Sequence, residues 1–359
     1  MKILFTIDSL ISGGKQRRFV ELLKKINLFE DIDCMVICFD RDVHYKEIFD
    51  LDVEIKFLIR KNKNFFSSLN KFYKIAKAYA PDIIHSWDTF STLHAIPISV
   101  FSPIKLITSK ISDTPNNYNK FSKDGFYSEI CFKFSDLVLS NSYAGLNAYN
   151  VSRHKSEVIH NGFNFDRLNG IKPYSFIKNS LNLHEESIII TMVARFSADK
   201  DYEVFLEAAN KNKNENIIFL CVGDGILKED LEKKYKNKSI LFLGDRDDVE
   251  SLINISDIGV LMTKGEGISN AIMEFMAFKK PIIASNVGGN SELIENKVSG
   301  ILIDSNDATS LMHAIKYLLD NPIHAKEIGI NAYNQIKTKF SIDKMVNEFY
   351  KKYKRIIER

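Results

Sequence analysis

Residues 264–285 read KGEGISNAIMEFMAFKKPIIAS. The apolar run at 257–262 and the run at 281–285 have the length and composition of buried strands. Between them, two glycines open a turn, and Ser269 or Asn270 is a favourable cap for a helix that follows. The order strand, turn, helix, strand predicts a parallel α/β unit, in which the free N–H groups at the helix start suit an anionic ligand.

Two glutamates stand eight residues apart in this stretch, Glu266 in the turn and Glu274 in the helix. Eight residues are a little over two helical turns, so Glu274 lies near the face on which Glu266 enters. Both carboxylates are therefore candidates to accept hydrogen bonds from the hydroxyls of a ligand. The acidic pair alone leaves an ordinary crossover with two solvated glutamates open as the alternative.

The stretch resembles the E-x7-E motif of the retaining glycosyltransferases of family 4, which have two Rossmann-like domains. The segment EGISNAIMEFMAFKKPIIAS, the glycine pair at 288–289 and GILI at 300–303 carry the resemblance. It implies that Glu274 holds the ribose of a nucleotide-sugar. It also implies that the sugar and the diphosphate are held by Glu266 and by the backbone amides that follow, those of Gly267, Ile268, Ser269 and Asn270.

The length of 359 residues accommodates two domains, and the apolar and charged fractions are those of a globular protein. A net charge of +3 is far from a nucleic-acid-binding signature. Residues 1–180 are mildly basic, which weakly favours an anionic surface such as lipid headgroups. The four cysteines lie mostly in apolar segments, which indicates core residues in a reducing compartment rather than a metal site.

The amino terminus and the hydropathy pattern predict a cytoplasmic protein. MKILFTIDSL reads as a first strand and not as a signal peptide, and no run approaches the ~18 apolar residues of a spanning helix. The pattern at 60–80 predicts a basic amphipathic helix. Two interpretations stay open for it: a Rossmann helix with its apolar stripe in the core, or peripheral contact with the inner face of the cell membrane.

The first domain is expected at 1–165 and begins with a buried strand at 2–7. Gly13 and Gly14 follow this strand, and a glycine pair there allows a ligand to approach the backbone closely. The resemblance implies that this loop faces the diphosphate of the donor. Lys15 reads as a solvated charge on the next helix or as a group that reaches a phosphate or the acceptor.

Two further positions of the first domain follow strands. His85 stands where the family commonly has an H-x-H pair, but this chain has Trp87 at the second position. His85 is a candidate for the acceptor side, and a core histidine with satisfied hydrogen bonds is its alternative. Lys110 follows a strand at 104–109, where many family members have a histidine that contacts the transferred sugar. Lys110 is thus a candidate catalytic residue that offsets diphosphate charge or binds an acidic acceptor, or else an ordinary surface lysine.

The second domain is expected at 180–340, with cations at the end of its first strand. Arg195 and Lys200 follow the strand at 188–193 at the spacing of the family's phosphate-binding pair. The resemblance adds donor-binding roles for three loops: Gly223 and Asp224 after one strand, Arg246 and Val249 beside the nucleobase, and the loop that contains Glu266. Asp245, Arg246 and Asp247 look like a metal-binding D-x-D, but the surrounding FLGDRDDV matches the nucleobase loop, with Asp248 as a helix cap.

The sequence therefore predicts an α/β protein of two Rossmann-like domains that face each other across a cleft (GT-B), with a helix at 341–359 crossing back to the first domain. The expected function is the retaining transfer of a hexose-type sugar from a nucleoside diphosphate, UDP before GDP, without a metal or other cofactor. The expected acceptor is a saccharide or a lipid-linked saccharide in surface polysaccharide synthesis. A nucleotide-sugar 2-epimerase and a non-catalytic nucleotide-sugar-binding protein are the alternatives.

Overall fold

A computed structural model describes residues 1–59, 65–115 and 117–358. The chain forms two compact units: Met1–Gly162 with Ile342–Arg359, and Phe163–Ser341. Each unit is a Rossmann-like α/β domain with one parallel sheet, as the sequence predicted. The chain enters the second unit at Phe163. Residues 163–165, which the sequence predictions place in the first domain, and residues 166–179, which they leave between the domains, therefore belong to the second unit.

The described residues of the first unit form a sheet of seven parallel strands in the order β3-β2-β1-β4-β5-β6-β7. Its strands are β1 (Lys2–Ile7), β2 (Asp33–Cys38), β3 (Glu54–Phe57), β4 (Ile83–Ser86), β5 (Lys105–Ile111), β6 (Leu137–Ser140) and β7 (Ser156–Val158). The helices between them are α1 (Gly14–Ile26), α2 (Phe65–Tyr79), α3 (Thr89–Val100), α4 (Lys123–Phe134) and α5 (Tyr143–Ala148). A 3₁₀ turn occupies Lys46–Asp50.

The inner strands β1 and β2 are almost entirely buried because helices cover both faces of the sheet, whereas the edge strand β3 is only partly buried. On β1, Ile3 and Phe5 enter one core cluster, and Leu4, which lies between them, enters another. The first cluster contains the apolar face of α1, and the second contains Phe72 of α2. All four cysteines of the chain are buried free thiols.

The described residues of the second unit form a sheet of six parallel strands in the order β10-β9-β8-β11-β12-β13. Its strands are β8 (Ile188–Val193), β9 (Ile217–Val222), β10 (Ile240–Gly244), β11 (Ile258–Leu261), β12 (Ile282–Ser285) and β13 (Ile301–Ile303). Its helices are α6 (Tyr174–Ser180), α7 (Tyr202–Lys211), α8 (Lys228–Lys234), α9 (Val249–Ile255), α10 (Asn270–Ala277), α11 (Asn290–Leu293), α12 (Ala308–Asp320) and α13 (Pro322–Lys339). A 3₁₀ turn at Phe165–Leu168 precedes them.

The strand orders fix where ligands can gather. In the first unit the order reverses between β1 and β4, and in the second unit it reverses between β8 and β11. Parallel sheets bind ligands outside the carboxyl ends of the strands at such a switch point. A ligand site is therefore expected at the loops after β1, β4, β8 and β11.

The last helix, α14 (Ile342–Ile357), belongs to the first unit. Met345, Val346, Phe349 and Tyr353 are buried on its apolar face, in the same core cluster as α1. Among the residues that the structure describes, no helix has the length and apolar character needed to cross a membrane. Residues 60–64, the predicted start of the basic amphipathic helix, lie outside the described residues.

Candidate functional site

The loop between β11 and α10 is built as the sequence predicted. Ser269 caps α10, because its side chain accepts a hydrogen bond from the amide of Ile272. The turn ahead of it rests on the glycine pair at 288–289: the Gly289 amide donates to the carbonyl of Glu266 at 2.9 Å. A Cβ at Gly289 would come within 2.4 Å of the Gly267 carbonyl oxygen, so only glycine allows this approach.

Glu266 forms an ion pair with Lys200, which arrives from the loop after β8. The two loops are tied together by the Asp199 carbonyl, which accepts hydrogen bonds at 2.9 Å from the Thr263 hydroxyl and from the Lys264 amide. The switch point of the second sheet therefore brings together two predicted donor-binding residues. Arg195 lies on the same loop as Lys200 and is exposed.

Glu274 lies on α10 with only 11% of its side chain exposed. Its Oε1 accepts a hydrogen bond from Nη2 of Arg167 at 2.6 Å. The same guanidinium donates from Nη2 and Nε to Oε1 of Glu250, at 2.5 and 3.0 Å. Burial works against the charged form of Arg167, but the two carboxylates outweigh it and raise its pKa above the usual value. The Glu274 carboxylate is thus fixed in position by Arg167 at the edge of the interior.

Sequence reasoning missed Arg167 and Glu250. Arg167 lies in the 3₁₀ turn Phe165–Leu168, and Glu250 lies in the first turn of α9. They are 107 and 24 residues from Glu274 along the chain, and nothing in the local pattern pairs them. A charged residue in a turn next to the predicted domain boundary was the one available signal.

The nucleobase loop carries a second cluster of charges. Arg246 donates to both carboxylate oxygens of Asp248, at 2.8 and 2.9 Å, and Lys172 donates to the same carboxylate at 2.7 Å. Burial raises the pKa of Asp248, but the hydrogen bonds from the two cations outweigh it, and the pKa lies below its usual value. The predicted cap is therefore wrong: the Asp248 side chain makes no capping hydrogen bond to α9, which begins at Val249.

The loop after β9 is shaped by glycine. Gly223 has a φ of +132°, and a Cβ there would come within 2.0 Å of the Ala194 carbonyl oxygen. The Asp224 carbonyl accepts a hydrogen bond from the Phe196 amide at 2.9 Å, and the Asp224 side chain is exposed. Gly223 and Asp224 therefore lie against the loop that carries Arg195.

In the first unit, a cavity of about 540 Å³ brings together Lys15 and Lys110. Trp87 and Asp88, which follow β4, also line it. The other lining residues are Thr89, Ser112, Asp113, Pro115, Asn117, Tyr118, Asn119, Ser122, Asp124, Gly125, Ser128 and Tyr149. Carboxylates, amides and hydroxyls beside aromatic rings are groups that can bind sugar hydroxyls and sugar faces.

The charges in this cavity are held by specific partners. Nζ of Lys15 lies 2.8 Å from Oδ1 of Asp8. Nζ of Lys110 donates to the Ser128 hydroxyl at 2.5 Å and lies 4.7 Å from the centre of the Tyr149 ring. Burial lowers the pKa of Lys110. Burial and then the Asp8 carboxylate raise the pKa of Asp88.

Gly13 and Gly14 form the loop between β1 and α1, which begins at Gly14. The Gly13 amide donates to the Tyr45 hydroxyl at 3.1 Å, and this hydroxyl donates to the Gly13 carbonyl at 3.1 Å. A Cβ at Gly13 would meet Oε1 of Gln16 at 2.5 Å. The contact of this loop with a diphosphate stays a prediction.

His85 is a core residue and not an acceptor-side group. It has no exposed surface, and its ring nitrogens lie 2.8 Å from the Tyr353 hydroxyl and 2.7 Å from the Ser109 hydroxyl. Burial, and to a lesser extent Arg18, lower the pKa of His85 well below its usual value. The prediction of an acceptor contact is corrected because both ring nitrogens already have partners in the interior.

No metal cluster is found in the described part of the chain, where no group of three or more His, Cys, Asp or Glu side chains could hold an ion. Asp245 and Asp247, the acids that look like a D-x-D, are both exposed.

Comparison with known proteins finds a family match in the second unit. Residues 174–335 match the family model described as Glycosyl transferases group 1. A UDP-Gal:alpha-D-GlcNAc-diphosphoundecaprenol alpha-1,3-galactosyltransferase of Escherichia coli is 33% identical over 204 residues, which are 54% of this chain and 52% of that protein. The match thus spans about half the length of that relative. An alpha-1,4-N-acetyl-D-galactosaminyltransferase of Campylobacter jejuni is 26% identical over 98% of both chains.

Solved structures match over nearly the whole chain. Anabaena Alr3699/HepE in complex with UDP-glucose has a TM-score of 0.85 at 18% identity, with 99% of this chain and 100% of that chain covered. A glycosyltransferase from Rickettsia africae ESF-5 has a TM-score of 0.85 at 25% identity, with 100% and 99% covered. At 18% identity the Anabaena match shows the fold alone.

Proposed function

Because its residues 174–335 match the family model of the group 1 glycosyl transferases, we propose that this protein transfers a hexose-type sugar from a nucleoside diphosphate to an acceptor hydroxyl with retention. The observation that carries the proposal is the meeting of Lys200, Glu266 and the capped start of α10 at the switch point of the second sheet. A cation beside the N–H groups of a helix start is a place for a diphosphate.

The charge balance supports donor cleavage at this place. As the bond to the sugar breaks, negative charge develops on the leaving diphosphate. Lys200, Arg195 and the first amides of α10 supply positive potential there without reorganising at the moment of reaction. Glu266 orients the sugar, and Glu274, held by Arg167, orients the ribose. Attack from the same face as the leaving group, assisted by the leaving phosphate, accounts for retention, and no metal is required in this scheme.

The donor base is proposed to be uracil rather than guanine. The Escherichia coli relative is named for a UDP-sugar. The backbone near Arg246 and Val249 is the proposed place of the base. Gly13 and Gly14 are proposed as further donor-binding residues.

The acceptor is proposed to be a saccharide or a lipid-linked saccharide of a surface polysaccharide. The Escherichia coli and Campylobacter jejuni relatives are named for acceptors on undecaprenol. The cavity that contains Lys15 and Lys110 is its proposed place, with Lys110 as the proposed catalytic residue. A lipid-linked acceptor would place the protein in the cytoplasm, in peripheral contact with the membrane.

Nucleotide binding tests the proposal first. At a concentration of 100 times the dissociation constant, a nucleotide stabilises the folded state by about 2.7 kcal/mol, which corresponds to a melting-temperature increase of about 5–10 °C. We expect UDP to give this increase and GDP to give less. Nucleotide-sugars that stabilise the protein are then tested for hydrolysis and for transfer. Failure of every nucleotide to raise the melting temperature would refute the proposal.

The same assay separates the two alternatives. A 2-epimerase would isomerise the nucleotide-sugar without an acceptor. A binding protein would be stabilised by the nucleotide-sugar but would show neither hydrolysis nor transfer.

A further inference from the structure

Helix α4 is unusual because it exposes three aromatic side chains, while it buries a glycine, a serine and a cysteine beside a single phenylalanine. Gly125, Ser128, Cys131 and Phe132 are its buried residues. Phe126, Tyr127 and Phe134 are 59%, 37% and 42% exposed. A soluble helix normally arranges these classes the other way round, because apolar area is unfavourable in water.

The exposed aromatics lie on one face. At 100° per residue, about a third of the helix circumference contains six residues. They are Lys123, Phe126, Tyr127, Ile130, Lys133 and Phe134. Just ahead of the helix, Lys120 is exposed and Phe121 is 86% exposed. We call these eight residues the α4 surface: Lys120, Phe121, Lys123, Phe126, Tyr127, Ile130, Lys133 and Phe134.

The positive charges of the α4 surface stand beside its rings. Nζ of Lys120 lies 5.1 Å from the centre of the Phe121 ring, and Nζ of Lys133 lies 5.7 Å from that of Phe134. The two acids of the helix, Asp124 and Glu129, fall outside the aromatic arc. Aromatic rings flanked by lysines are the composition that inserts at the headgroup level of an anionic bilayer, where lysine stems extend towards the phosphates.

Helix α2, whose sequence pattern suggested a membrane surface, is different. Its apolar stripe is in the core, since Phe72 and Ala76 are buried, and Lys71, Lys74 and Lys77 face water. Phe66 and Tyr73 are 79% and 43% exposed. The described part of α2 is thus an ordinary Rossmann helix with two scattered exposed aromatics, which makes it the natural control.

The opposite side of the α4 segment lines the cavity of the first unit. Ser122, Asp124, Gly125 and Ser128 are among the lining residues, and Ser128 accepts the hydrogen bond from Lys110. A saccharide in this cavity and a lipid against the aromatic face would therefore contact the same helix. An anionic membrane is favoured over a protein partner because lysines accompany every exposed ring cluster of the α4 surface.

We propose that the α4 surface docks the protein on an anionic lipid membrane, next to the cavity that accepts the saccharide. The functional role of this docking rests on the proposed lipid-linked acceptor. Binding to vesicles can nevertheless be measured without any sugar, and so independently of the proposed function. Since membrane partitioning scales with the apolar area inserted, losing two exposed rings should weaken it by about tenfold or more.

The experiment is flotation of the full-length chain with vesicles of phosphatidylglycerol and phosphatidylethanolamine. The wild type is compared with Phe126→Ser/Phe134→Ser on α4 and with the matched control Phe66→Ser/Tyr73→Ser on α2. We expect the wild type and the control to float equally and the α4 variant to float at least about tenfold less. Phosphatidylcholine vesicles, or the variant Lys123→Glu/Lys133→Glu, should reduce flotation as well, because the attraction to anionic headgroups is lost.

Each outcome decides the proposal. Flotation of the α4 variant like the wild type, an equal loss in the α2 control, or a wild type that does not float overturns it. Sedimentation velocity tests whether the α4 surface instead binds a second copy of the chain. A dimer that the α4 substitutions break would show such a contact and would also overturn the membrane proposal. Since the substituted side chains are exposed, unchanged melting temperatures show that the variants are folded.

The nucleotide assay keeps the two proposals apart. UDP should stabilise the α4 variant as it stabilises the wild type, because the diphosphate site lies in the second unit. If UDP stabilises a wild type that does not float, the docking proposal fails and the proposed function stands. If the wild type floats through α4 but no nucleotide stabilises it, the proposed function fails and the docking surface stands.

Discussion

Arg167 shares one guanidinium between Glu274 and Glu250. Removing the cation would leave two adjacent carboxylates without a counter-charge, and their repulsion would move the Glu274 side chain. We expect Arg167→Gln to weaken UDP binding by about tenfold, the scale of a misplaced charged contact. Calorimetric titration with UDP measures it, and Arg153→Gln, at an exposed position of the first unit, is the control.

The Arg167→Gln variant should also differ from the wild type in its selectivity among nucleotides. If Arg167 acts by holding Glu274 against the ribose, the variant should discriminate less than the wild type between UDP and its 2′-deoxy and 3′-deoxy analogues. Undiminished discrimination would show that Arg167 serves only the stability of the fold.

Lys200 is the cation that we expect to matter most for turnover. Substitution Lys200→Ala removes an oriented charge from the proposed diphosphate site, and Glu274→Ala removes the proposed ribose contact. Each should lower turnover by about ten- to a thousand-fold. Lys264→Ala is a neighbouring control, since its side chain is 43% exposed and lies 3.8 Å from Asp201. Initial rates with a UDP-sugar measure the effect, and near-wild-type rates in either site variant would count against the assignment.

At the residue scale, the sequence predicted contacts within one segment or one motif better than contacts between distant ones. The Gly-flanked turn, Glu266 and the Ser269 cap follow from local chemistry. Arg167 lies 107 residues from Glu274, and the partner of His85, Tyr353, lies 268 residues further along the chain. Pairings of this kind depend on tertiary packing, which no local pattern encodes.

At the element scale, α14 is fastened to β7 by charge as well as by its apolar face. Glu157 pairs with Lys352 and with Arg355. Burial raises the pKa of Glu157, but the hydrogen bonds from both cations outweigh it, and the pKa lies below its usual value. The contribution to stability is therefore present above the unfolded-state pKa of about 4.5 and is lost as the pH falls through the lower folded-state pKa.

Substitution Glu157→Gln should consequently lower the melting temperature near neutral pH but not in acid. Partly exposed ion pairs are worth about 1 kcal/mol or less, so we expect a decrease of about 1–4 °C at pH 7. Thermal unfolding followed by circular dichroism from neutral pH down to about pH 3 measures it. The exposed Glu358→Gln variant is the control, and a decrease that persists unchanged in acid would contradict this account.

The elements themselves were largely predictable. Most of the inner strands are apolar runs because helices cover both faces of each sheet, and α10 has a recognisable cap. The role of each amphipathic helix was not predictable, because the pattern of α2 describes a core stripe and a membrane surface equally well. In α4, the buried residues are a glycine, a serine, a cysteine and only one of four aromatic residues, so only the structure reveals which side meets the sheet.

At the scale of the whole molecule, the second unit is one continuous segment, Phe163–Ser341. Its two ends are joined, since the Phe163 amide donates to the Phe340 carbonyl at 2.8 Å. We expect residues 163–341, expressed alone, to unfold cooperatively and to be stabilised by UDP, because Lys200, Glu266 and Glu274 all lie within them. Calorimetry with and without UDP measures both properties. A fragment that folds but ignores UDP, while the full chain responds, would place essential nucleotide contacts in the first unit.

The position of α14 in the core of the first unit has a consequence for biosynthesis. Phe349 lies 6.0 Å from the ring of Trp87, so this core stays incomplete until a segment translated after the entire second unit has left the ribosome. At roughly 5–20 residues per second, the delay is on the order of ten to forty seconds. During that interval the nascent first unit displays an apolar groove where α14 will later sit. Ribosome-bound chains halted at Ser341 should therefore be cleaved by protease within residues 1–162 and recruit chaperones, whereas completed chains should resist both.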